Sequence, residues 1–246
     1  MSTVSGTWRG PNIVKDNSLV LYLDASAKNS YNDLVNVTTW KDLSGNNNSG
    51  SLVNGPTFSS TNGGSIVFNG SNNYVFLPTN FFNHDSGSAF TVSFWFKTAT
   101  AGIIFGQQNS PTASVAASGY VPAIYTDSAG KIRTSCFWGG ATNNQSVSAL
   151  TVTDNAWHNV AVTFFSGSQI SYIDNTQFAT LSKTQTTYSP TYNYFIGSGT
   201  WVGQWTNITG NPFFTGNISN MLFYNRALSA AEISQNFNAT RGRFGI

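Results

Sequence analysis

The stretch AFTVSFWFK (Ala89–Lys97) alternates between two kinds of position along its length. In an extended chain, one face would carry Phe90, Val92, Phe94 and Phe96, and the other would carry Thr91, Ser93, Trp95 and Lys97. Because side chains of a β-strand point to opposite faces in turn, this period of two is typical of a strand with one face in a core. The stretch therefore predicts a β-strand that packs its phenylalanine face inward.

Short apolar runs separated by Gly, Asn, Ser and Pro extend on both sides of this stretch. They are Leu19–Leu23, Ser65–Asn69, Asn73–Pro78, Gly102–Gly106, Val121–Thr126, Lys131–Trp138, Trp157–Phe165, Gln169–Asp174, Tyr194–Gly199 and Gly216–Asn225. Many short strands with turn signals between them favour an antiparallel sandwich or jelly roll.

One segment, LSAAEISQNFN (Leu228–Asn238), has the pattern of a helix. Ser229 is a natural N-cap, and Glu232 follows three residues later, which is the spacing of a capping box. Leu228, Ile233 and Phe237 are then expected to face the sheet. The spacing predicts one short helix near the C-terminus, and it gives Glu232 a structural role.

Composition narrows the range of partners. Charged residues make up 8% of the 246 residues, against about 25% in an ordinary globular protein. The net charge is +2 without a basic stripe, so no nucleic-acid partner is expected. No apolar run reaches the length of a membrane-spanning helix, so no membrane insertion is expected. The N-terminal sequence MSTVSGTWRG lacks the apolar core of a signal peptide.

The order of these segments resembles the laminin-G-like jelly rolls of the concanavalin A-like lectin superfamily, from about Leu19 to Phe237. The segments that carry the resemblance are LVLYLDAS, TTWKDLSGNNNSG, SIVFNGSNNYVFLP, FTVSFWFK, WHNVAVTFFSGSQISYIDN, YFIGSG and FTGNISNMLFYNRALSAAEI. The resemblance implies an all-β, two-sheet antiparallel jelly-roll sandwich with one short C-terminal helix. It divides the chain into an arm (residues 1–18), the jelly-roll domain (residues 19–240) and a tail (residues 241–246).

The two ends of the chain carry a narrower resemblance. GPNIVKDNSLVLYLDAS (Gly10–Ser26) and YNRALSAAEISQNFNATRGRFGI (Tyr224–Ile246) are similar to the ends of this domain in structural proteins of tailed, marine bacteriophages. This likeness implies a virion protein for capsid decoration or for a head or tail fibre. Its partners would be other virion proteins and sister subunits, docked through the arm and tail, and lysis of the host would release it.

The acidic residues do not form the pattern of a glycoside hydrolase. Such enzymes need two carboxylates that flank the scissile bond, and enzymes of this fold typically carry them alternately on one strand. None of the nine acids of this chain lies two residues from another. We therefore expect a protein that is not an enzyme, and a hydrolase that pairs acids from distant loops is the less favoured alternative.

The loop WKDLSGNNNSG (Trp40–Gly50) has two interpretations. Laminin-G-like domains often bind calcium at the rim of the sandwich, and Ca²⁺ takes six to eight oxygen ligands. Asp42, Asn46 and Asn48 are candidate ligands, with Asn220 in GNISN standing where relatives carry an acid. The alternative is a metal-free turn, because Asn and Gly tolerate left-handed backbone and close turns on themselves. The sequence leaves open whether one structural Ca²⁺ is bound.

Trp201 and Trp205 lie in a Gly-rich loop without strand periodicity, and Trp138 directly precedes the polar segment GGATNNQ. A loop tryptophan offers a large rigid surface and an N–H donor, so it can stack on a sugar or fill a protein interface. Capping one end of the sandwich is the structural alternative. If these residues bind sugars, the protein is a carbohydrate-binding adhesin that recognises host-surface glycans.

Overall fold

The computed structural model describes residues 11–32, 34, 38–79, 81, 88–113, 117–135, 145–182, 192–200, 207 and 213–246. The strands are β1 (Leu19–Asp24), β2 (Thr39–Trp40), β3 (Gly50–Val53), β4 (Thr57–Ser59), β5 (Ser65–Asn69), β6 (Tyr74–Leu77), β7 (Phe90–Lys97), β8 (Gly102–Gln108), β9 (Tyr120–Thr126), β10 (Lys131–Thr134), β11 (Ser146–Thr151), β12 (Trp157–Phe165), β13 (Ser168–Ile173), β14 (Thr176–Ser182), β15 (Asn193–Ile196) and β16 (Thr215–Tyr224). The helix α1 spans Ala230–Thr240, and single 3-10 turns lie at Thr61–Gly63 and Arg241–Arg243.

The strands form two antiparallel sheets. The first sheet has the order β14-β13-β12-β7-β16-β5-β4, and β1 also pairs with β16. The second sheet has the order β11-β10-β9-β8-β15-β6-β3-β2. Their inner faces bury one large cluster of apolar side chains drawn from both sheets. The predicted all-β, two-sheet jelly-roll sandwich with a short C-terminal helix is confirmed.

Strand β7 lies at the centre of the first sheet, between β12 and β16. Its phenylalanine face belongs to the large core between the sheets, as the alternation predicts. The opposite face is largely buried as well, whereas the sequence predicted a strand with only one face in a core. Trp95 on that face stacks on Phe237 and Phe244, with ring centroids 5.4 and 4.2 Å apart. A second apolar layer therefore covers the outer face of the first sheet.

Helix α1 contributes Ile233 and Phe237 to this outer layer. Ser229 Oγ accepts from the Glu232 backbone N–H, and Glu232 Oε2 accepts from the Ser229 backbone N–H, which confirms the capping box. Ile233 and Phe237 are buried, as predicted from their spacing. Among the described residues, no helix is both long and apolar enough to cross a membrane.

The described parts of the arm and the tail pack beside this helix. Val14 donates its N–H to Asn236 Oδ1 at 2.7 Å, and its carbonyl accepts from Tyr224 Oη at 2.8 Å. In the tail, Phe244 is buried against Trp95 and Trp157. Residues 11–18 and 241–246 are thus held on the outer face of the first sheet by buried contacts with the sandwich.

Candidate functional site

The loop after β2 is organised around the carboxylate of Asp42. Oδ1 accepts from the backbone N–H groups of Tyr22 and Ser44, both at 2.9 Å. Oδ2 accepts from Ser44 Oγ at 2.7 Å and from the Asn48 backbone N–H at 2.9 Å. Four neutral donors therefore converge on one carboxylate and bind the loop to the start of the sheet.

The asparagines of this loop face the backbone of β1. Asn46 Nδ2 donates to the Leu19 carbonyl at 3.0 Å, and Asn48 Nδ2 donates to the Val20 carbonyl at 2.8 Å. Asn47 adopts a left-handed backbone with φ of 61°, which Asn tolerates better than most residues. The loop uses its amides as donors to fasten itself to the neighbouring strand.

The side chains of this loop are arranged as in a turn that bonds to itself, and not as in a calcium site. A calcium ion needs converging oxygens, whereas N–H and O–H groups converge on Asp42. Asn220 lies on β16, where its Oδ1 accepts from the backbone N–H of Trp95 at 3.2 Å. Within the described ranges, no group of three or more His, Cys, Asp or Glu side chains could hold a metal ion. The structure thus brings Asp42, Asn46 and Asn48 into one loop, and the calcium site and the metal-free turn both stay predictions.

The three tryptophans proposed for sugar or subunit contact are Trp138, Trp201 and Trp205. All three lie outside the described residues. Their role stays a prediction.

A polar cleft that the sequence did not indicate lies where the arm, β1 and the end of α1 meet. It has a volume of about 420 Å³. The residues that line this terminal cleft are Pro11, Asn12, Ile13, Lys15, Tyr22, Asp24, Ser26, Ala239, Thr240 and Arg243. Ligand pockets for small molecules begin at roughly 300 Å³, so the cleft is large enough for a small ligand.

An ion pair between Asp24 and Arg243 forms one wall of the terminal cleft. Arg243 Nη1 lies 3.1 Å from Asp24 Oδ1 and 3.2 Å from Oδ2, and Nη2 donates to Ser219 Oγ at 2.7 Å. The side chains are 8% exposed for Asp24 and 21% exposed for Arg243. A buried carboxylate is thus compensated by a guanidinium that is 219 positions away in the chain.

Tyr22 adds a hydroxyl to the same wall. Its Oη donates to Asp24 Oδ2 at 3.0 Å. Burial, together with the adjacent Asp24 charge, raises the pKa of the Tyr22 phenol above its ordinary value. The phenol therefore stays protonated at neutral pH and serves as a neutral hydrogen-bonding group.

The other described carboxylates are also held by partners. Arg226 Nη2 lies 2.7 Å from both Asp16 Oδ2 and Glu232 Oε1. Hydrogen bonds from Ser18 and Arg226 lower the pKa of Asp16 to about 2. Hydrogen bonds from Arg226 lower the pKa of Glu232 to about 2 as well. A carboxyl that acts as a general acid in glycoside hydrolysis has a raised pKa, whereas the pKa of each acid in this pair is lowered.

His158 joins two further carboxylates at the end of β12. Its Nδ1 lies 2.7 Å from Asp174 Oδ2, and its Nε2 lies 3.1 Å from Asp154 Oδ1. Burial lowers the pKa of His158, but the hydrogen bonds and charges of Asp174 and Asp154 outweigh burial and raise it above its usual 6.5. Both ring nitrogens are engaged, so the imidazole serves as a structural link that depends on pH.

Comparison with protein families places the chain. Residues 69–234 match the Laminin_G_3 family, described as the concanavalin A-like lectin/glucanases superfamily. The match covers more than half of the chain, and the chain belongs to this superfamily. No curated protein matches the chain.

Several solved structures share the fold. The binding domain of Paraclostridial Mosquitocidal Protein 1 is similar with a TM-score of 0.61 and 18% identity, over 90% of this chain and 52% of that one. Trypanosoma rangeli sialidase in complex with sialic acid is similar with a TM-score of 0.60 and 16% identity, over 93% of this chain and 34% of the sialidase. A third similar structure is domain 4 of AbnA, a GH43 extracellular arabinanase from Geobacillus stearothermophilus, in complex with arabinotriose. Its TM-score is 0.57 and its identity 15%, over 90% of this chain and 98% of that domain. The chain thus spans about half of the first structure and about a third of the second.

Proposed function

We propose that this chain is a carbohydrate-binding domain. The observation that carries the proposal is the match in extent with domain 4 of AbnA, whose structure contains arabinotriose and aligns over 98% of its length. Membership of a lectin/glucanase superfamily is consistent with it. The terminal cleft supplies a polar concave surface of suitable size.

We further propose that binding proceeds without catalysis. All seven carboxylates within the described residues accept hydrogen bonds from neighbouring groups. Asp16 and Glu232, which share Arg226, have lowered pKa values. A retaining or inverting hydrolase needs one carboxyl held protonated near neutral pH. These acids are arranged to stabilise the fold.

A glycan array probed with the purified chain tests carbohydrate binding. We expect binding to a restricted set of glycans, and arabinotriose is a defined soluble probe for calorimetry. Parallel arrays with calcium and with a chelator separate a metal-dependent lectin from a metal-free one. Absence of binding to every glycan under both conditions would overturn the proposal. Release of reducing sugar from a bound polysaccharide would overturn the non-catalytic part alone.

The biological setting that we propose is a bacteriophage virion, as a capsid-decorating, head-fibre or tail-fibre component. The likeness of both chain ends to phage structural proteins and the charged fraction of 8% support it. Mass spectrometry of gradient-purified phage particles from the source should find this chain, at a copy number that points to capsid or tail. Presence in the lysate but absence from particles would contradict the virion role and leave carbohydrate binding as it stands.

A further inference from the structure

The terminal cleft has both polar and apolar walls. Pro11, Ile13 and Ala239 supply apolar surface, and Tyr22, Asp24 and Arg243 supply hydrogen-bonding groups. A saccharide presents C–H faces and hydroxyl edges, and specific small-molecule sites combine these two kinds of surface. The lining is therefore suited to a single sugar unit better than to a purely apolar ligand.

The charged acceptor of the cleft, the Asp24 carboxylate, is already occupied. The Asp24 oxygens accept from the Ser26 N–H and hydroxyl, from Tyr22 Oη and, at both oxygens, from Arg243 Nη1. A ligand hydroxyl that donates to this carboxylate would have to displace one of these donors. A ligand that brings its own acceptor oxygens meets no such cost.

The charged residues of the cleft also favour a ligand that brings acceptor oxygens. Its charged lining residues are Lys15, Asp24 and Arg243, which leave a net charge of +1 after Asp24 and Arg243 pair. Lys15 is exposed, and none of the ion pairs between described residues includes it. An ammonium group offers three donors and no acceptor. Lys15 therefore offers the cleft a cationic hydrogen-bond donor that is available to a ligand.

We infer that the terminal cleft is the sugar-binding site and that it takes a saccharide with an acidic group, whose anionic oxygens bind Lys15. This inference rests on the proposed carbohydrate-binding function. The acidic group is a carboxylate or a sulfate ester, since either supplies anionic acceptor oxygens.

The test compares two charge reversals with the same effect on net charge. Lys15→Glu changes the cleft, whereas Lys28→Glu changes an exposed lysine that does not line it. Affinities are measured for acidic glycans and for their neutral counterparts, with carboxylated and sulfated members as separate arms. We expect Lys15→Glu to weaken acidic-glycan binding about tenfold or more, because a charge-assisted hydrogen bond is lost. Lys28→Glu should leave the affinity unchanged.

A second variant, Tyr22→Phe, probes the inner wall without a change of charge. We expect about a fivefold loss of affinity, because Tyr22 Oη, whose proton is donated to Asp24, can still accept from a saccharide hydroxyl, and the variant loses this contact. Thermal melting of each variant shows whether it is folded. In addition, amide NMR shifts of residues 12–15, 22–26 and 239–243 should move when the acidic glycan is added.

The outcomes separate the inference from the function on which it rests. Equal effects of Lys15→Glu and Lys28→Glu, or no effect of either, would place the site elsewhere while the wild-type chain still binds glycans. Equal affinity for neutral and acidic glycans would overturn the acidic class of ligand. If the wild-type chain binds no glycan, the proposed function fails and the inference fails with it.

Discussion

Two aspartates near β1 are satisfied in different ways. Asp42 accepts four hydrogen bonds from neutral groups, and three of them come from Ser44 and Asn48 in its own loop. Asp24 accepts from neighbouring Ser26 and Tyr22, but its charge is compensated by Arg243 at the other end of the chain. The first carboxylate organises a loop, and the second joins the C-terminal tail to β1.

The difference teaches where each kind of contact can be recognised. An acid followed by Ser, Gly and Asn is a local pattern, because these residues close turns by bonding to their own backbone. An ion pair between positions 24 and 243 has no local pattern. The two environments should also respond differently when one partner is removed, from a large loss of stability to none.

The largest effect is expected for Arg243→Ala. This change leaves Asp24 buried without its countercharge, and breaking such a pair costs about 3 kcal/mol. Urea unfolding measures the loss. The matched control is Arg241→Ala, which removes an exposed arginine two residues away and should change the free energy of unfolding by less than about 0.5 kcal/mol. Adding Asp24→Asn to Arg243→Ala should recover part of the loss, and equal effects of the two arginine variants would contradict the role of the ion pair.

Asp42→Ala should have the next largest effect. It removes the common acceptor of four donors, so part-buried N–H groups lose their partner at a cost of about 2 kcal/mol. The exposed neighbour Lys41→Ala is the control for the same segment. Hydrogen exchange should quicken at Tyr22 and Asn48, whose N–H groups bind Asp42. Unchanged exchange at both positions would show that Asp42 does not hold the loop.

His158 is a third case. It contacts two carboxylates, and whether it carries a positive charge depends on pH. Its folded pKa is raised above about 6.5. The stabilisation by the protonated form is therefore complete below pH 6.5 and is lost as the pH rises through the higher folded pKa. The difference in melting temperature between wild type and His158→Gln should shrink across that interval. A difference that stays constant between pH 5 and pH 9 would show that the charge of His158 contributes nothing.

The pair formed by Asp16 and Glu232 on Arg226 should show the opposite dependence on pH. Both folded pKa values are lowered to about 2, from 3.8 and 4.5. Their stabilisation is present above the unfolded values and is lost as the pH falls toward 2. Glu232→Gln should cost at most about 1 kcal/mol at neutral pH, because the group is partly exposed and screened. The cost should vanish in acid melts, and a larger cost at low pH would contradict this sign.

Calcium gives the smallest expected effect. Because donors occupy both oxygens of Asp42, the melting temperature should be unchanged by added calcium or by chelator. Calorimetric titration with Ca²⁺ provides an independent reading. A rise in melting temperature with calcium that is absent in Asp42→Ala would show that the loop rearranges to bind the ion.

Some features of the molecule were accessible from single stretches of sequence. The alternation in β7 predicted its buried phenylalanine face, and Ser229 with Glu232 predicted the capping box. The Ser, Gly and Asn residues after Trp40 predicted a turn, and Ser44 and Asn48 bond to Asp42 within this loop. Asn220, the candidate calcium ligand outside this loop, accepts from the backbone N–H of Trp95 within the first sheet, and its role at a calcium site stays a prediction.

The sequence by itself determined the strand periodicity, the helix cap and the turn chemistry, because each depends on residues a few positions apart. Only the tertiary structure decided that the outer face of β7 is buried, since Phe237 and Phe244 reach Trp95 across more than 140 positions. The same holds for the terminal cleft, whose walls come from positions 11–26 and 239–243. The hydrophobic effect is non-directional, so a local stretch of sequence does not specify which distant apolar surface will pack against it. The pairing of distant charges follows from that packing.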